Sequence, residues 1–214
     1  MTTPIKTKPE IRLMVVDDHA AFRRGLTSLI QTEPGLSVVG ETGDGRAALE
    51  LYRKVKPDVV LMDLRLPGFS GVEAIMAIRK EFPAARVIVV TTYDADEDIY
   101  RAMQSGAQSY LLKDMSDKEI LNTIRAVHAG KTKLPQNVAN LLAERLKRED
   151  LTPREMEVLE SLVKGRSNKE IGDQLGLTEA AVKFRLKGLF VKLGVQDRTE
   201  AVVSALRHGI FHLE

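Results

Sequence analysis

Three apolar runs in this chain each break off at a residue able to handle a phosphoryl group, and a fourth ends in a lysine. Leu13-Met14-Val15-Val16 runs into Asp17-Asp18, Val59-Val60-Leu61-Met62 into Asp63, Val87-Ile88-Val89-Val90 into Thr91, and Tyr110-Leu111-Leu112 into Lys113. Runs this short and rich in β-branched residues read as strands buried on both faces of a parallel sheet. Ligands of open α/β sheets bind outside the carboxyl ends of the strands. The pattern therefore delivers three carboxylates, one hydroxyl and one ammonium to a single rim. Such a set can hold a divalent cation and stabilise a phosphoryl group on its way to an aspartate.

The chemistry assigns roles. An aspartate accepts a phosphoryl group poorly unless its charge is offset, and Mg2+, which takes hard oxygen ligands, does this while neutralising the equatorial oxygens. Asp18 and Asp63 are expected as direct ligands, Asp17 directly or through water, and the backbone carbonyl of Arg65 completes the set. Asp63, alone at the end of the central strand, is the acceptor. Lys113 pairs with the phosphoryl oxygens and the Thr91 hydroxyl bonds one of them. Any single aspartate after a strand also reads as a turn residue or a helix cap; the ordered set is what points to a site. Arg65 and Tyr93, each two residues past a key position, either shield the phosphoryl group from water or are plain solvated loop side chains.

From residue 11 to about 130, strand and helix alternate five times. Strands are expected near 11–16, 36–40, 58–62, 87–90 and 109–112, and helices near 19–31, 45–54, 71–80, 95–105 and 117–129. This order means an α/β doubly wound, five-stranded parallel sheet with right-handed crossovers. After Gly130 the strand pattern stops. A helix is expected over 135–147, and the charged stretch Arg148-Glu149-Asp150 marks a boundary. Helices near 153–164, 168–175, 179–193 and 198–209 then make a small all-α domain. The reading gives residues 1–130, a linker helix within 131–150, and 151–214.

Residues 1–130 carry 17 Lys and Arg against 18 Asp and Glu, and residues 131–214 carry 15 against 12. The part without the carboxylates is the more basic, as a nucleic-acid partner requires. There Ser167 caps one helix, Gly176 ends it, and Thr178 caps the next, a helix-turn-helix pattern. At about 100° per residue, Val182, Leu186, Leu189 and Leu193 share a core stripe, while Lys183, Phe184 and Lys187 face away. Lysines flanking an aromatic suit a major groove, where ammonium groups reach guanine acceptors or phosphates and the ring meets a thymine methyl. Arg185 and Lys192 lie to one flank, where phosphate contact is expected. The alternative is an ordinary solvated basic face, against which an outward Phe184 argues.

Other chemistries find no support. The chain has no cysteine, which excludes disulfides and suits a cytoplasmic setting. The first ten residues are polar and no apolar run reaches the ~20 residues of a membrane span, so neither a secretory leader nor a membrane partner is expected. His19, His128, His208 and His212 lack zinc-ligand spacing. Gly43-Asp44-Gly45 is no dinucleotide fingerprint. Asp63-Leu64-Arg65 lacks the second aspartate of a haloacid-dehalogenase-type phosphatase.

Residues 11–130 resemble the receiver domain of a two-component response regulator. The resemblance rests on Val15-Val16-Asp17-Asp18-His19, on Pro57 to Asp63 followed by Leu66-Pro67-Gly68 and Gly71, and on Gly106-Ala107 to Tyr110-Leu111-Leu112-Lys113-Asp114. It implies a flavodoxin-like fold, phosphorylation of Asp63 by a sensor histidine kinase with Mg2+, and concerted movement of Thr91 and the switch aromatic Tyr110. Asp114 replaces the proline many receivers carry, which narrows the match to one subfamily.

The tail is similar to the LuxR-type DNA-binding domain, through Leu151-Thr152-Pro153-Arg154-Glu155 to Leu159, Ser167 to Ile171, Val182-Lys183, Lys192-Leu193-Gly194-Val195 and Arg198-Thr199. Many relatives carry Asn-His where this chain has Phe184-Arg185, a departure that bears on base preference. Receiver plus such a tail is the arrangement of the NarL/FixJ class. The implied protein is a DNA-binding transcription regulator and not an enzyme, though it assists its own phosphorylation and dephosphorylation. It is expected to bind two half-sites of double-stranded DNA as a homodimer when phosphorylated or DNA-bound, pairing through the last helix around Ala201 to Leu206. The rival readings are an aspartyl-phosphate phosphotransferase or phosphatase, and an adaptor without DNA binding.

Overall fold

The computed structural model describes residues 10–212. Its chain order is β1 (Ile11–Val16), α1 (Ala20–Thr32), β2 (Leu36–Thr42), α2 (Gly45–Val55), β3 (Val59–Met62), α3 (Gly71–Glu81), β4 (Val87–Thr91), α4 (Asp96–Gln104), β5 (Ser109–Leu112) and α5 (Asp117–His128). Five helices follow: α6 (Gln136–Arg145), α7 (Pro153–Val163), α8 (Asn168–Leu175), α9 (Glu179–Leu193) and α10 (Arg198–Arg207). The chain divides into two compact units. One holds the described residues up to Asp94 with Ile99–Ala139, and the other holds Ala95–Asp98 with the described residues from Asn140 on.

In the first unit the five strands form one parallel sheet in the order β2-β1-β3-β4-β5. Every residue of β3 and β4 is buried, which explains their unbroken apolar character: a strand covered on both faces has no solvent side to alternate with. Leu13, Val15, Leu61, Ile88, Val90 and Leu111 form a core cluster with Leu26, Ile30, Ile120 and Ile124. Register builds the rim. Val16 pairs with Met62, so Asp17 and Asp63, one residue further on, emerge side by side. Thr91 pairs with Leu112, and the Lys113 N–H bonds the Thr91 carbonyl at 2.8 Å. One close approach fixes the loop after β3: a Cβ on Gly71 would lie 2.0 Å from the Asp63 carbonyl oxygen, so only glycine lets α3 start against the backbone of Asp63.

The second unit has its own core, in which Val158, Leu159, Leu162, Ile171, Val182, Leu186, Leu189, Ala201 and Ala205 meet. Its helices start on side-chain caps. Thr152 with Glu155 and Ser167 with Glu170 form reciprocal capping boxes, and Thr178 accepts the Ala181 N–H. Gly176, in the left-handed region at φ +67°, closes α8. Gly172 is required for another reason: a Cβ there would lie 2.6 Å from the Leu177 carbonyl oxygen, where the turn folds back over α8. Among the described residues no helix is long and apolar enough to cross a membrane.

Candidate functional site: the carboxylate rim and the outer face of α9

The rim gathers the residues expected of it. Asp17, Asp63 and Thr91 are buried, and the Lys113 side chain is only 9% exposed. The Lys113 Nζ donates to Asp63 Oδ2 at 2.7 Å and lies 2.7 Å from Asp17 Oδ2. Asp17 Oδ1 also accepts the His19 N–H at 2.8 Å, and Asp63 Oδ1 accepts the Arg65 N–H at 3.3 Å. The Thr91 Oγ1 is buried with no hydrogen-bond partner. Burial pushes the Asp17 carboxyl up, with the Asp63 charge adding to the effect, and the bonds from Lys113 and the His19 N–H offset only part of it. Burial also opposes the Lys113 charge, but the two carboxylates outweigh it and hold the ammonium above its ordinary range.

Sequence reasoning missed His19. It occupies the cap position of α1 without capping it, and its Nδ1 lies 2.7 Å from Asp18 Oδ1 and 3.9 Å from Asp63 Oδ2. Ligand atoms of Asp17, Asp18, His19 and Asp63 fall within 4.8 Å of one another. Spacing along the chain gave no hint, because the ring reaches Asp63 only once β1 and β3 lie side by side. Also unforeseen were the Arg23 guanidinium, which donates to the Asp17 carbonyl, and Phe22, whose ring centroid lies 4.7 Å from the Lys113 Nζ. Arg65 stacks 4.4 Å over the Tyr93 ring, with its Nη2 buried and without a hydrogen-bond partner. Tyr110 is fully buried and donates its hydroxyl proton to the Tyr93 carbonyl at 2.7 Å, tying the expected switch aromatic to the loop that leaves Thr91.

On α9, Val182, Leu186 and Leu189 face the core while Lys183, Phe184 and Lys187 face out. Phe184 is 80% exposed and Val191, not singled out from sequence, 77%. Lys183 pairs with Glu179 one turn earlier at 2.9 Å. Lys183 and Lys187 line an open pocket of about 330 Å³ with Asn168, Phe190 and Arg198. Arg185 is half-buried beside Arg154 and Glu157, and the Lys192 ammonium is held by Glu155 of α7 at 2.8 Å.

Residues 13–125 match the family described as "Response regulator receiver domain", and residues 149–205 match "Bacterial regulatory proteins, luxR family". The chain belongs to the response regulators that join a receiver to a LuxR-type helix-turn-helix, a class of DNA-binding transcription regulators. It is 38% identical over 208 residues to the transcriptional regulatory protein LiaR of Bacillus subtilis (strain 168), covering 94% of this chain and 99% of LiaR. Among solved structures it resembles the response regulator ChrA of a heme-sensing two-component system, at 34% identity and TM-score 0.58, over 95% of this chain and all of ChrA. It also resembles RcsB in a structure of two dimers bound to two parallel DNAs, at 25% identity and TM-score 0.70, over 91% of this chain and 97% of RcsB.

Proposed function

We propose that Asp63 is the phosphoacceptor of this regulator and that its phosphorylation by a sensor histidine kinase controls DNA binding. The observation that carries this reading is the single ammonium of Lys113 bonding both Asp17 and Asp63 beside a buried, partnerless Thr91 hydroxyl. A carboxylate oxygen of Asp63 attacks phosphorus in line as the phosphorus–nitrogen bond of a phosphohistidine breaks and its electron pair returns to the imidazole. Lys113 then turns from a carboxylate to a phosphoryl oxygen, and Thr91 donates to another. The hard, clustered oxygens of Asp17, Asp18 and Asp63, with the Arg65 carbonyl, suit Mg2+, which when bound would offset the charge on the transferring group. Arg65 and Tyr93 flank the acyl phosphate and limit access of water. Lys113 and Thr91 also assist the later hydrolysis, in which water attacks phosphorus, the Asp63 carboxylate leaves and inorganic phosphate is released.

The outer face of α9 supplies the DNA contact: Lys183, Phe184 and Lys187 at base edges and phosphates, and Arg185 and Lys192 at flanking phosphates. A single short helix reads too few bases to find its operator among genomic competitors, so a homodimer on two half-sites follows. Ala201 and Ala205 point into the core, which leaves the outward side of α10, where Val203 is exposed, for pairing. Kinase and DNA place this activity in the cytoplasm. A small phosphodonor tests the acceptor: full-length protein is labelled stoichiometrically and Asp63→Asn is not. Label persisting on another residue of that variant overturns the assignment. Asp18→Ala should lose Mg2+ dependence and labelling together.

A further inference from the structure

Lys113 carries a strongly hydrated ammonium on a flexible four-carbon stem, yet it bonds two buried carboxylates at 2.7 Å each. A third hydrogen-bond acceptor beside it would fix it in one pose. An aliphatic neighbour would leave it free to swing to water. The neighbour here is neither: the Phe22 ring of α1 lies with its centroid 4.7 Å from Nζ, inside the range at which a ring face attracts a cation. Phe22 is half-buried and packs against the core cluster of the sheet, α1 and α5, so its position is set by the fold. It also forms part of the wall of an open groove of about 380 Å³ that Lys113 lines together with Leu26, Met115 and Ile120. The ring therefore stands where groove water would otherwise reach the ammonium.

We propose that Phe22 is a positioning residue for phosphoryl transfer, its ring face holding the Lys113 ammonium over the acceptor while that ammonium exchanges a carboxylate partner for a phosphoryl oxygen. Attraction to a ring face tolerates changes of direction, so Nζ can pivot without leaving the site. This rests on the reading of Asp63 as phosphoacceptor and adds to it a residue that touches neither metal nor phosphate.

The test replaces Phe22 in the full-length protein by 4-fluoro-, 3,5-difluoro- and 3,4,5-trifluorophenylalanine, which weaken the ring's negative face in steps at nearly constant shape. The rate of Asp63 labelling by acetyl phosphate at saturating Mg2+ is expected to fall with each fluorine, about two- to tenfold in total. The loss should appear in the limiting labelling rate and leave the half-saturating donor concentration unchanged. Phe22→Leu should match the trifluoro variant, and Phe22→Trp should retain the rate. In parallel, the Lys113 ammonium resonance should carry a ring-current shift that vanishes in Phe22→Leu. A flat rate across the fluorine series, or an ammonium resonance that does not move, overturns the proposal. Failure to label unsubstituted protein overturns the phosphoacceptor reading instead, and the ammonium resonance then still decides whether Phe22 holds Lys113.

Discussion

Lys113 in the receiver and Lys183 on α9 are both paired with carboxylates, under opposite conditions. Lys113 is 9% exposed and bonds Asp17 and Asp63 at the ends of strands β1 and β3, whereas the Lys183 side chain is 63% exposed and pairs with Glu179 on its own helix. A buried pair leaves a costly uncompensated charge when one partner is removed, about 3–5 kcal/mol. An exposed helical pair contributes about 0.3–0.5 kcal/mol and is screened by salt. The difference fits the two tasks proposed for these residues. Phosphoryl transfer needs charges held still and away from water before the substrate arrives. Recognition of DNA needs charges that can leave their present partner and adjust to a groove. One chain thus spends conformational freedom at the rim and keeps it on α9.

The largest effect that could break this comparison is expected at Lys113. Lys113→Met should lower the rate of Asp63 labelling by about 10²–10³-fold, the loss typical of a preorganised donor, and Lys113→Arg should fail to rescue it because a planar fork cannot replace a compact ammonium between two carboxylates. Restoration by arginine would mean that the rim is no more demanding than a surface.

Next come Lys183→Ala and Lys187→Ala, measured by DNA binding at several salt concentrations. A lost base contact should cost about 1–3 kcal/mol and relax preference at one position. A lost phosphate contact should make the slope of log K against log salt shallower by about 0.9. Equal weakening on operator and random DNA in both variants would sink sequence reading by α9, and unchanged affinity would favour an adaptor.

The smallest expected effect is in acid, where the two regions should respond with opposite sign. Asp17 has its carboxyl raised, so its contribution to receiver stability grows as pH falls through that raised value toward the unfolded-chain value. Glu155, where burial works against the charge but Lys192 and the Thr152 cap outweigh it, has its carboxyl lowered. Its contribution is present above the unfolded-chain value near 4.5 and is lost as pH falls through the lowered one. Calorimetric melting of the Mg2+-free protein between neutral and acid pH should show Glu155→Gln flattening the acid loss and Asp17→Asn flattening the acid gain. Matching slopes in the two variants would contradict the contrast between regions.

Much of this was legible without coordinates, for reasons visible in particular residues. The bounds of α8 and α9 coincide with the sequence reading, because Ser167, Gly176, Thr178 and Gly194 punctuate them with caps whose chemistry is local. The strand ends were equally plain, since an apolar run that stops at Asp17, Asp63 or Lys113 marks where the strand gives way to the polar rim. What stayed hidden were pairings between elements. Nothing in the order of residues shows that Phe22 underlies Lys113, that Arg65 stacks on Tyr93, or that Glu155 holds Lys192, a residue read from sequence only as a flank for phosphate.

By itself the sequence determined which segments are strands and helices, which faces they bury and which groups stand at their ends. Backbone hydrogen bonding and the 2- and 3.6-residue periods of burial are properties of contiguous chain. Only the tertiary structure decided which side chains touch. The β2-β1-β3-β4-β5 order and parallel register set the distances between strand ends, and packing of α1 against the sheet selected the direction of Phe22. Those contacts depend on the relative placement of elements far apart in the chain, and no periodicity along the chain encodes it.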